Sequence, residues 1–156
     1  MDIQSIALIV LLALAPGLEA RASIPLGYYV LREPFTVFIV SYVSSSIPCI
    51  PLLYLLGFLE EKIIPRSRLL EKMYKWSIER VRIKAYRIRN SRFIYASLLF
   101  YVAIPLPLTG VWTGSLIAYL LGLDKTKSII AIFLGNLIAV SIILLAVLGV
   151  FTIALL

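Results

Sequence analysis

The 156-residue sequence has no histidine and a single cysteine, Cys49. Without histidine the chain cannot build a His-type zinc site, a Ser-His-Asp triad or a Cys-His dyad. A lone thiol in an apolar stretch gives neither a disulfide framework nor a thiolate metal site, so no metal or other cofactor is expected. Charge is also scarce, at 15% of residues against 62% hydrophobic ones. A soluble domain of this length could not bury that much apolar surface, which leaves lipid as the solvent and an integral membrane protein as the class.

The charge that is present is concentrated. Residues 60–92 hold eleven of the fifteen basic residues and four of the eight acids, a net +7 equal to that of the whole chain. Because everything outside this segment is neutral, its basicity reads as membrane topology, with nucleic acid not expected as a partner. After Pro65, the apolar residues Leu70, Tyr74, Ile78, Val81, Ala85 and Ile88 recur at spacings of three and four. That spacing predicts a basic amphipathic helix on anionic headgroups or on neighbouring helix ends. The apolar start, Ile6 to Ala15, follows Asp2 with no basic residue before it and is expected to be retained.

Four hydrophobic blocks divide the remainder. Residues 34–59 and 129–156 each exceed the roughly 20 apolar residues that a spanning helix needs. Residues 3–31 are broken near Pro16–Pro25, and residues 93–123 near Pro105–Gly114. The arms of these two are too short to span, so each is expected to form a re-entrant hairpin, the alternatives being interfacial helices or one kinked span. The expected fold is all-α: two units, 1–59 and 93–156, each a hairpin followed by a span, joined by the basic helix 60–92. A hairpin keeps its side and a span changes it, so the units form an inverted repeat. The positive-inside rule places 60–92 and 124–128 in the cytoplasm and both termini outside.

Ionisable residues at membrane depth survive beside partners or water, which singles out Glu19 and Arg21 in the first break. Ser23 is placed to cap the helix that restarts there, with Pro25 in its first turn. In the second break, Pro105 and Pro107 stop one arm, Thr109 is placed to cap the next, and Gly110 and Gly114 permit close backbone approach. Two helix N-termini then face each other near the midplane, an arrangement that favours an anion such as phosphate or carboxylate. The alternatives are an exposed turn or mutually neutralising pair for Glu19 and Arg21, and simple packing for the glycines. Asn136 and Ser44–Ser46 line a path or bond across helices.

The segments Glu19-x-Arg21-x-x-Ile24-Pro25-Leu26-Gly27 and Phe100-x-x-Ala103-Ile104-Pro105-Leu106-Pro107-x-Thr109-Gly110-x-Trp112-Thr113-Gly114 resemble the small multidrug export family over most of the chain. That family looks like a distant relative of DedA-like membrane proteins, whose paired re-entrant hairpins are associated with moving lipids. The resemblance implies a transporter or scramblase rather than an enzyme, with Glu19 and Arg21 on the first hairpin and Thr109, Gly110, Trp112, Thr113 and Gly114 at the tip of the second. The substrate so implied is an anionic amphiphile, held by Arg21 and the helix N-termini, with Glu19 responding to protons or cations. Export of hydrophobic cations and a membrane-surface role for the basic helix are the rival expectations. Because so few helices must cover broken backbone, a homodimer is expected.

Overall fold

The computed structural model describes residues 3–62, 93–106 and 109–154, which form helices and no strands. The expected basic helix lies almost wholly outside the described residues, as does Pro107. The first hairpin is α1 (Ile3–Leu14) and α2 (Glu19–Leu31), followed by α3 (Pro34–Ser46) and α4 (Cys49–Lys62). The second hairpin is α5 (Ile94–Ala103) and α6 (Val111–Leu120), followed by α7 (Lys125–Ala154).

Proline explains the seam between α3 and α4. Pro48 has no N–H to donate and its ring crowds the carbonyl one turn back. Ile47 nevertheless keeps helical dihedrals (φ −51°, ψ −44°), so Pro34–Gly57 is a run of 24 residues long and apolar enough to cross a membrane. The second such run is Lys125–Val150, with 26 residues. It begins four residues earlier than the expected 129, because the Asp124 carboxylate caps the helix by accepting the Lys127 N–H at 2.9 Å. Helices α5 and α6 have ten residues each, about 15 Å of rise, half of a bilayer's hydrocarbon thickness.

The first hairpin departs from expectation in its register. The break is confined to residues 15–18, where Gly17 takes φ +84° and the Leu18 and Glu19 N–H groups both reach the Ala15 carbonyl at 3.2 Å. Helix α2 therefore starts at Glu19, not after Ser23. Ser23 is a fully buried interior residue whose hydroxyl has no partner among the described residues, and Pro25 lies inside the helix. In the second hairpin the break ends at Gly110, and Gly114 belongs to α6.

Two apolar clusters hold these pieces. Ile9 of α1, Ala20 and Ile24 of α2, Val37 of α3 and Val140 of α7 form one. Cys49 and Leu53 of α4, Leu98 and Val102 of α5, Val111 and Ala118 of α6, and Ala131 and Ile132 of α7 form the other. Between them, the Asn136 amide donates to Ser45 Oγ at 2.8 Å and Ser46 Oγ at 2.9 Å. Thus α3–α4 runs antiparallel to α7, and the two hairpins pack on opposite halves of that helical pair. Three glycines permit the close approaches. A Cβ at Gly27 would sit 2.9 Å from Ile9 Cδ1, one at Gly114 2.6 Å from Val102 Cγ2, and one at Gly135 2.5 Å from the Leu99 carbonyl oxygen.

Candidate functional site

The hairpins meet tip to tip, and the contact is polar. Glu19, the first residue of α2 and only 6% exposed, directs its carboxylate at the start of α6. It accepts the N–H of Val111 at 3.1 Å and that of Trp112 at 3.4 Å. These are two of the amides that an α-helix leaves without internal partners at its N-terminus, where the helix dipole also favours negative charge. Thr109 was expected to cap this helix. The residue at that position is instead Gly110, with no side-chain cap of its own, and the cap comes from the other hairpin.

Gly110 is what lets the carboxylate in. A Cβ there would overlap Glu19, with Cδ only 2.8 Å away. Glu19 itself has φ +46°, a left-handed backbone that a residue with a Cβ adopts at a cost of roughly 1–2 kcal/mol. Such strain persists where surrounding contacts over-determine it. Here they are the two Ala15 hydrogen bonds behind the residue and the α6 amides in front.

Arg21, two residues along α2, donates from Nη2 to Thr109 Oγ1 at 3.0 Å. Thr109 folds the second tip upon itself. Its hydroxyl lies 2.6 Å from the Ile104 carbonyl and 2.7 Å from that of Leu106, and it accepts the Leu106 N–H at 3.1 Å. Glu19 and Arg21 therefore each bond to the second hairpin, and Glu19 is buried rather than placed in an exposed turn. The guanidinium has five N–H donors, of which Thr109 takes one.

Arg21 also lines a groove of about 450 Å³, whose other walls are Pro25, Pro105 and the α7 residues Ile142, Ile143, Ala146, Val147 and Val150. The groove thus joins one cation to a long apolar wall. No sequence pattern pointed to this stretch of α7, because aliphatic residues surround it on all sides.

The remaining expected site residues take plainer places. Trp112 brings its backbone N–H to Glu19, while its indole Nε1 is buried with no partner among the described residues. Thr113 Oγ1 turns back to the Gly110 carbonyl at 3.4 Å. Gly114 packs on Val102 rather than joining the tip contact. Asn136, 2% exposed, bonds across helices through Ser45 and Ser46. Among the described residues there is no cluster of ligands able to hold a metal.

No curated protein and no solved structure matches the chain. A family model described as "Putative small multi-drug export protein" matches residues 19–142, from the capping carboxylate Glu19 to the groove residue Ile142. With two helices of spanning length and a match over more than half of its residues, the chain is a membrane protein and belongs to that export-protein family.

Proposed function

We propose that the chain is a transporter for an anionic amphiphile, such as a lipid phosphate, whose headgroup docks at Arg21 while its apolar part lies along the α7 groove. The carrying observation is the charge at the groove. The Glu19 carboxylate is turned away into the α6 N-terminus, whereas Arg21 faces an apolar channel with a neutral hydroxyl as its partner. A cation beside low-dielectric walls selects an anion, and the planar guanidinium suits a phosphate or carboxylate.

In this reading the two hairpins are re-entrant and the hairpin–span unit is an inverted repeat. The antiparallel pairing of α3–α4 with α7 supports it, as do hairpin helices of ten to thirteen residues packed on opposite halves of that pair. The described arrangement is the closed one, with Glu19 standing where an incoming anion would otherwise meet the α6 amides. Protonation of Glu19, or competition from the headgroup, would release the cap and let the tips part. A homodimer would add protein cover to the broken backbone of the hairpin tips.

Export of hydrophobic cations is the second reading, favoured by the family's description. Liposomes holding purified protein separate the two by substrate sign. The anionic reading predicts flux of a fluorescent lipid phosphate, reduced roughly tenfold or more in Arg21→Ala, the scale of one charge-assisted hydrogen bond. Flux of a hydrophobic cation that Arg21→Ala leaves intact and Glu19→Gln abolishes would replace it with the second reading.

A further inference from the structure

At the opposite end of α7 lies a second groove, of about 350 Å³, lined by Tyr95, Ala96 and Leu99 of α5 and Lys127, Ile130, Ala131 and Leu134 of α7. Its shape follows from helix packing. At Gly135 the two helices touch, with the Leu99 carbonyl oxygen 2.5 Å from where a Cβ would be. From Leu134 back to Lys127 the groove between them forms a wedge about 10 Å long at 1.5 Å per residue. Ala96, Leu99, Ile130, Ala131 and Leu134 make its walls aliphatic, and its polar groups, Lys127 and Tyr95, lie together at one end. There the Lys127 ammonium sits 5.9 Å from the centre of the Tyr95 ring, a cation–π contact that keeps it over the opening.

Asp124, Lys125 and Lys127 together leave a net charge of +1 beside the opening. The Asp124 carboxylate is occupied with the Lys127 backbone N–H, and the Asp124 N–H donates to the Tyr95 hydroxyl at 3.2 Å. Lys125 projects elsewhere, with its ammonium 4.4 Å from the centre of the Tyr54 ring. A cation above an apolar slot matches an amphiphile with an anionic head and an acyl tail.

We infer that this wedge holds one anionic phospholipid of the leaflet beside the N-terminal end of α7, with its phosphate at Lys127 and an acyl chain between α5 and α7. The site is separate from the Arg21 groove. Lys127 and Ile142 are fifteen residues apart on one helix, about 22 Å, so the grooves lie in opposite halves of the bilayer. The lipid fills the space between α5 and α7 that Ala96, Leu99, Ile130 and Leu134 line. The assignment needs only that the chain is membrane-embedded and does not depend on what Arg21 carries.

The test is native mass spectrometry of the full chain released from mixed phosphatidylglycerol–phosphatidylcholine vesicles. Wild type should retain one phosphatidylglycerol per protomer in preference to phosphatidylcholine. Lys127→Gln should weaken that retention about fivefold, the scale of one lysine at a charged surface, and Ala96→Phe should lower it by filling the slot. Lys125→Gln, which alters the same local charge outside the wedge, should leave it unchanged. Equal retention of the two lipids by wild type, or equal losses for Lys125→Gln and Lys127→Gln, would overturn the site in favour of general surface charge. Because Lys127 is exposed, its variant tests the assignment even if Ala96→Phe fails to fold.

Discussion

The carboxylate of Glu19 accepts the backbone N–H of Val111 at 3.1 Å across 92 residues of sequence, so the first hairpin provides the N-terminal cap of the second. Caps of this kind contribute about 0.5–2 kcal/mol, and this one, with the Arg21–Thr109 hydrogen bond, also fixes the relative position of the two tips. The contact is a stabilising interaction, and in the proposed mechanism it is also the gate.

Its dependence on Gly110 gives the first prediction. Gly110→Ala places a methyl group against the carboxylate and strains the backbone at φ +158°, so it should lower the melting temperature in detergent at least as much as Glu19→Ala does. The double variant should fall short of the sum of the two single losses, since both remove the same contact, while the strain of a Cβ at the φ +158° backbone of Gly110 remains in either background. Losses that simply add would mean that Gly110 acts through something other than the Glu19 cap.

Helix α7 makes a paired prediction through two of its glycines. Gly135→Ala meets the Leu99 carbonyl and Val102 and should cost about 1–3 kcal/mol of stability, the usual range for overpacking. Gly149→Ala meets nothing within 4 Å and should be neutral or slightly stabilising, since alanine favours the helix. Denaturation of the two variants side by side checks the packing of α5 on α7; equal effects would contradict it.

Asn136 separates structure from transport. Its amide is buried between Ser45 and Ser46, so Asn136→Ala should destabilise by roughly 0.6–2 kcal/mol, the range for hydrogen bonds between membrane helices. Flux per folded protein should be unchanged. A lowered flux with unchanged stability would place Asn136 on the substrate path instead.

The groove on α7 can be probed without touching any charge. Ala146→Phe puts a ring into the channel that Arg21 lines and should depress lipid-phosphate flux severalfold while leaving the melting temperature close to wild type. Undiminished flux would mean that the substrate's apolar part lies elsewhere.

Much of this arrangement was legible in the sequence because prolines, glycines and charges in apolar runs carry strong local signals. Pro16-Gly17 and Pro105 through Gly110 marked both breaks, and the rarity of charge singled out Glu19 and Arg21. Ser23 and Pro25 misled because local capping rules favour a serine just ahead of a proline. The chain starts α2 one turn sooner, where Gly17 turns it and Glu19 can reach the second tip. That reach could not be read locally, since the partner amides are backbone groups that look alike at every position. The Arg21 groove was hidden for the opposite reason, as Ile142 to Val150 differ little in type from the rest of α7.

The measurement that tests the inverted, tip-to-tip arrangement most directly is the sidedness of two loops. Single cysteines at Glu33→Cys and Thr126→Cys, on a Cys49→Ser background, would be labelled with a membrane-impermeant thiol reagent in sealed vesicles of known orientation. If α5 and α6 form a re-entrant hairpin, Glu33→Cys should react from the outside only and Thr126→Cys from the cytoplasmic side only. Labelling of both positions from one face would mean that α5–α6 crosses the membrane, and neither the inverted repeat nor a gate between opposed hairpins would survive.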